Sequence, residues 1–339
     1  MSQPVSESES QPVVESVSQP VVESVVESGS VLPVESVVDV GGVGVVALRG
    51  GSGRRLLVLH DELGFPGWLG WCGDLAAGRE VVVPLQPGFG RTPRVEWFSS
   101  VRDVAALYAR MVRESELFAD RADRAGGADP ADPADPAGGA GRAGGVDVVG
   151  FSMGGWIAAE MAAMDPGLFG RMVLVAPLGV KPVEGEILDF LALTMRRHVM
   201  ATVSTNEADE PEVARMYGGG ISPEQFMLFE AARAESSRLA WEPFMFDRTL
   251  VHRLPALGAG AAGSAGAAGS AGVGVETLVV WGDEDKVVPR GVVDAYAEAI
   301  PGARVEVLSG VGHRPEVEDR ATFVKVLTEF LDTSVPAGS

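Results

Sequence analysis

The chain has 339 residues, with 47 Asp+Glu against 27 Lys+Arg, four histidines, one cysteine and a formal charge of −20. That length suits one large α/β domain or two ordinary ones, and the acidic balance disfavours partners held through phosphate contacts, nucleic acid included. Cys72 alone excludes an intramolecular disulfide or a cysteine-based zinc site, and no apolar run approaches the roughly 20 residues that span a bilayer. The first residues carry neither base nor continuous apolar stretch, so no secretory leader is readable and a soluble, cytoplasmic, membrane-free protein is expected.

Residues 1–40 hold seven acids and no base, and repeat Gln-Pro-Val-Val-Glu-Ser at 11–16 and 19–24. Pro, Ser and like charges oppose a packed core, so this segment is expected to be a disordered acidic arm. Two early strands follow at Val43–Leu48 and Arg55–His60, then a third at Glu80–Pro84. A helix is expected from about Ser100 to Phe118, with Val104, Leu107 and Met111 on one face. Residues 124–145 are almost wholly Ala, Gly, Asp and Pro, and 257–274 are Gly, Ala and Ser after Leu257; both are expected to be flexible inserts.

Val146–Val149 is a strand, Trp156–Met164 a helix, and Arg171–Val175, Thr277–Trp281 and Arg304–Leu308 complete the strand set. Short β-branched runs alternating with helices predict an α/β fold with a doubly covered, mostly parallel sheet. Its core is expected over 41–182 and 254–333. Between Pro182 and Arg253 the strand pattern stops and Met-, Phe- and Trp-bearing helices take over, which predicts an inserted helical cap over 183–253.

Loops at the carboxyl ends of parallel strands are where such sheets place their chemistry. After the Val146–Val149 strand comes Gly150-Phe151-Ser152-Met153-Gly154-Gly155, then a helix. Gly-x-Ser-x-Gly is a weak motif alone; its place between strand and helix is what matters, since small residues permit a sharp turn that lifts the hydroxyl into the cleft. A structural serine in a tight glycine turn is the alternative. A serine nucleophile needs a base that is itself oriented by an acid. Trp281-Gly282-Asp283-Glu284-Asp285 and Gly310-Val311-Gly312-His313 follow later strands and supply both. Ser152, Asp285 and His313 stand in the order nucleophile, acid, histidine, with gaps of 133 and 28 residues. Asp283 and Glu284 compete with Asp285, which the following Val-Val-Pro favours.

On these loops the chain from about Val43 to Leu331 resembles the α/β-hydrolase fold superfamily, in the group of capped esterases, lactonases and carbon–carbon bond hydrolases. The resemblance implies a triad of Ser152, Asp285 and His313, and an oxyanion hole from the backbone N–H groups of Met153 and Glu62. His60-Asp61-Glu62 stands where relatives carry His-Gly, with Asp61 replacing the usual glycine. Pro87-Gly88-Phe89-Gly90 resembles the family's next loop, with Leu85-Gln86 where an Asp often precedes it.

Other polar residues read more plainly. His60 is expected to stabilise its turn, His198 and His252 to lie at the surface beside arginines, and Cys72 to be buried. Part of the set Met195, Met200, Met216, Phe226, Met227, Phe229, Trp241, Phe244, Met245 and Phe246 is expected to face the cleft as the cap's apolar underside. The resulting expectation is acyl transfer to water on a small to medium apolar ester, thioester or lactone, without metal, nucleotide or flavin. Carbon–carbon cleavage or acyl transfer to another acceptor by the same triad, and a non-catalytic receptor on this scaffold, remain alternatives.

Overall fold

The computed structural model describes residues 31–118, 146–204, 222–258 and 274–333. Both expected inserts, apart from their flanking residues, and the arm up to residue 30 lie outside these. So does Met216.

Among the described residues, eight strands form one sheet: β1 (Val34–Val40), β2 (Val43–Gly50), β3 (Arg55–Leu59), β4 (Glu80–Pro84), β5 (Val146–Phe151), β6 (Phe169–Val175), β7 (Glu276–Gly282) and β8 (Arg304–Leu308). Their spatial order is β1-β2-β4-β3-β5-β6-β7-β8, antiparallel at β1/β2 and β2/β4 and parallel from β4 onward. The central strands are apolar on both faces because both faces are covered. Along β3, Leu57 and Leu59 enter one core and Leu56 and Val58 the other; along β7, Val279 and Trp281 alternate with Leu278 and Val280 in the same way.

Helices α1 (Gly70–Ala76), α2 (Val101–Glu114), α3 (Met153–Met164), α4 (Met195–Ala201), α5 (Pro223–Ala240), α6 (Leu250–Arg253), α7 (Arg290–Ala299), α8 (Pro315–Glu318) and α9 (Arg320–Asp332) follow in chain order. The Asp103 carboxylate accepts the Ser100 N–H at 2.9 Å and fixes the start of α2, whose Val104, Leu107, Tyr108 and Met111 enter the first core. α3 is buried nearly all round, as expected of a helix with Met, Ile and Ala on every face. Its one acid, Glu160, is matched by Arg253 through two 2.7 Å bonds and by Arg102 at 3.3 Å. Trp71, Cys72 and Leu75 of α1 and Phe323, Leu327 and Phe330 of α9 fill the opposite face.

One expectation fails at the amino end. Val34–Val40, assigned to the disordered arm, is an edge strand paired in register from Val34 opposite Arg49 to Val40 opposite Val43. Gly41 and Gly42 connect the two strands at φ 62° and 89°, the positive values that a two-residue hairpin turn requires. The valines offer β-branched side chains, the turn fixes register, and an Arg91–Glu35 ion pair ties the edge to the next loop.

Between β6 and β7 the described chain carries α4, α5 and α6 and no strand. Met195, Phe229 and Met245 there are buried, whereas Phe226, Met227 and Trp241 are exposed. No helix among the described residues is long and apolar enough to cross a membrane.

Candidate active site

From β3 the chain passes to β4 on one side, then returns across β3 to β5 on the other. The carboxyl ends of β3 and β5 therefore flank a topological switch point, where open α/β sheets leave a crevice. Ser152 follows β5 at φ 48° and ψ −111°, a sparsely populated conformation for a residue with a side chain. Its N–H donates to the Val175 carbonyl at 2.9 Å, and its own carbonyl accepts from Leu178 at 3.1 Å and Trp156 at 3.2 Å. Two glycines make that turn possible. A Cβ on Gly150 would stand 2.4 Å from the Gly154 carbonyl oxygen, and one on Gly154 would stand 2.1 Å from that of Leu59. Any side chain at either position forces β3, β5 or α3 to move. Met153 opens α3, so its N–H has no intrahelical acceptor.

Asp285 and His313 come together from the loops after β7 and β8. Asp285 Oδ2 lies 2.8 Å from His313 Nδ1, with both side chains almost wholly buried. Its Oδ1 accepts the N–H groups of Val287 at 2.7 Å and Val288 at 2.9 Å, which locks the carboxylate plane. Asp283 faces solvent instead, where it accepts from Ser309 Oγ at 2.8 Å and Gly310 N–H at 2.6 Å. Glu284 is exposed too. Burial alone would lower the pKa of His313, but the charge and hydrogen bond of Asp285, reinforced by Glu62 and Asp61, raise it to about 9.

The turn after β3 carries Asp61 where a glycine was expected and closes on Gly64, at φ 89°, whose N–H donates to the Asp61 carbonyl at 3.2 Å. Asp61 Oδ1 accepts the Leu63 N–H at 2.9 Å, and its Oδ2 meets Arg314 at 3.0 Å, the residue following His313. Burial raises the Asp61 carboxyl, with Arg314 opposing. His60 holds the turn to the next loop: Nδ1 lies 2.9 Å from the Asp61 carbonyl, and Nε2 accepts the Gln86 N–H at 3.0 Å. Nε2 accepts, so Nδ1 carries the proton and the ring is neutral; burial, the leading cause, lowers its pKa to about 4. Gln86 replaces the Asp often found there and donates from Nε2 to the His60 carbonyl at 2.7 Å.

Glu62 was expected here for its backbone N–H. The structure also places its carboxyl in the site, 1% exposed and beside Ser152, His313 and His198. Burial pushes that carboxyl up, but the His198 imidazole, the His313 charge and the Ser152 hydroxyl outweigh it and hold the pKa at about 2. His198 corrects the sequence expectation most sharply. It is fully buried, 3.5 Å from Glu62 Oε1 through Nε2, and stacked on Phe190 at 4.6 Å. Its arginine neighbours suggested a surface position, yet Met195, His198 and Val199 share one helical face, and that spacing was the readable signal. His252 is exposed and Cys72 buried, both as expected.

Residues 56–326 match the model of the alpha/beta hydrolase family. An uncharacterized protein of Mycobacterium tuberculosis (strain H37Rv) is 26% identical over 202 residues, 57% of this chain and 57% of its own length. The chain thus spans little more than half of that relative. The 2-hydroxymuconate semialdehyde hydrolase of Pseudomonas sp. (strain CF600) is 27% identical over 83% of this chain and 88% of its own. Among solved structures, the 2-hydroxy-6-oxo-6-phenylhexa-2,4-dienoate hydrolase of Rhodococcus sp. strain RHA1 superposes with a TM-score of 0.62 at 19% identity, covering 90% of this chain and all of that one. By the family match, which takes in most of its length and every loop of the site, the chain belongs to the alpha/beta hydrolase family.

Proposed function

We propose that this chain is a serine hydrolase that cleaves a small to medium carboxylic ester, thioester or lactone through an acyl-enzyme intermediate. One observation carries the reading: a buried Asp285–His313 pair at 2.8 Å shares the carboxyl end of the sheet with a serine held at φ 48°. Each residue has a definite role. His313, once deprotonated, takes the Ser152 proton as the hydroxyl attacks the carbonyl. Asp285 accepts from Nδ1–H, which leaves Nε2 free to be the base and stabilises the imidazolium that forms. The N–H groups of Met153 and Glu62 receive the oxyanion, each such donor being worth about 3–4 kcal/mol in enzymes of this type. His313 then returns the proton to the leaving group and activates the water that releases the acid. The 183–253 segment serves as a cap, with Met195 and Phe229 in an apolar cluster against which Leu63, the residue after Glu62, packs.

A second reading has its own support. The likeness to the Pseudomonas semialdehyde hydrolase favours carbon–carbon bond hydrolysis by the same residues. Steady-state assays of the purified protein on a panel of aryl esters, thioesters, lactones and 1,5-diketo acids separate the two. Turnover of an ester, thioester or lactone, lost by several orders of magnitude in Ser152→Ala, supports the first reading. Turnover confined to the diketo acids supports the second.

A further inference from the structure

The site contains a pair of side chains that the triad chemistry does not use. Glu62 and His198 are both fully buried, yet neither carboxylate oxygen of Glu62 and neither ring nitrogen of His198 completes a hydrogen bond. The nearest approach between them, 3.5 Å from Nε2 to Oε1, is longer than an ordinary hydrogen bond to a charged group. The Ser152 hydroxyl beside them is likewise without a close partner. The His198 imidazole and the His313 charge offset the burial of Glu62, but these buried polar atoms still lack the close hydrogen bonds that such atoms ordinarily make.

The pair is held firmly for such a task. His198 is packed against Phe190, stacked at 4.6 Å and 13°, and against Phe229 in an edge arrangement at 5.8 Å and 67°. The Glu62 backbone is fixed from the same side by Ser236 Oγ, which donates to its carbonyl at 3.2 Å. The neighbouring carboxylates are already engaged, Asp285 by His313 and Asp61 by Arg314. Among the described residues, two buried carboxylates keep an oxygen without a hydrogen bond, Glu62 and Glu316, and Glu62 is the one beside Ser152.

A carboxylate next to the nucleophile, without a close hydrogen bond, works against a plain acyl substrate, because negative charge develops on the carbonyl oxygen as Ser152 adds. A proton donor on the substrate reverses that effect by occupying the carboxylate. We propose that Glu62, backed by His198, is a subsite for a hydroxyl or ammonium group carried on the acyl part of the substrate close to the carbonyl that Ser152 attacks. This rests on the serine hydrolase reading and narrows it from simple apolar acids to hydroxy- or amino-acyl compounds.

The test compares kcat/KM for phenyl butyrate, phenyl 3-hydroxybutyrate and phenyl 3-aminobutyrate, which share one leaving group and one chain length. The wild-type protein should prefer at least one donor-bearing ester over butyrate by about tenfold to a hundredfold, the range for one hydrogen bond to a charged acceptor. Glu62→Gln should erase most of an ammonium preference, and Glu62→Met should erase either preference. The arm that wins in the wild type tells hydroxyl from ammonium. A wild-type protein indifferent to the donor, or a folded Glu62→Gln and Glu62→Met that both keep its preference, would overturn the proposal. Labelling of Ser152 by a fluorophosphonate in every variant keeps this result separate from failure of the serine hydrolase reading itself.

Discussion

Asp285→Asn tests the site's electrostatics with the least disturbance to its shape. The Asn carbonyl oxygen can keep both bonds that Oδ1 accepts from Val287 and Val288, at 2.7 and 2.9 Å. The amide nitrogen then falls where Oδ2 stands, 2.8 Å from His313 Nδ1. Two N–H donors cannot face each other, so Nδ1 gives up its proton and Nε2 acquires it. The ring then offers Ser152 a donor where a base is required. An enforced wrong tautomer of this kind costs about 10⁴ in kcat, or about 5.4 kcal/mol of transition-state stabilisation. Asp283→Asn loses only solvent-facing bonds to Ser309 and Gly310, and its loss should stay within about tenfold. Turnover of one aryl ester by both variants, with circular dichroism as a control on folding, makes the comparison. If Asp283→Asn is crippled and Asp285→Asn runs near the wild-type rate, the orientation argument is refuted.

Two further outcomes are expected. His313 is raised to about 9, so its basic form accumulates only as pH climbs; kcat/KM should rise about tenfold per pH unit up to about 9 and then level, a profile read by stopped-time assays. Stability should run the other way: the raised pKa contributes stability fully below about 6.5 and loses it as pH passes through about 9, so Tm should fall across that window. Gly154→Ala places a methyl 2.1 Å from the Leu59 carbonyl oxygen and should cost about 1–3 kcal/mol, read as a lower Tm, with turnover falling as Ser152 is displaced.

Much of the fold was legible because a doubly covered sheet writes itself as short β-branched runs, and seven of the eight strands stand within two residues of where those runs lie at their starts. Val34–Val40 was not legible because its Val, Glu and Ser continue the composition of the repeat before it. Gly41-Gly42 between two valine runs was the signal that outweighed composition. At the site, Ser152 and His313 stand out through the glycines around them, which the close backbone approaches at Gly150 and Gly154 account for. Asp285 and Asp283 share one loop; the following Val-Val-Pro favours Asp285, and contacts with the next loop, His313 for Asp285 and Ser309 for Asp283, separate them in space. The Glu62–His198 contact joins residues 136 positions apart across two elements, so local pattern could not reveal it.

The central claim, that Ser152 is a nucleophile activated by His313, is tested most directly by covalent capture. The protein is incubated with a fluorophosphonate, and intact mass and peptide mapping follow the adduct while esterase activity is monitored. One adduct per chain on Ser152, formed in step with loss of activity and absent in Ser152→Ala and strongly slowed in His313→Gln, is the predicted result. Activity that survives full modification of Ser152, or an equally active Ser152→Ala protein, would contradict the account.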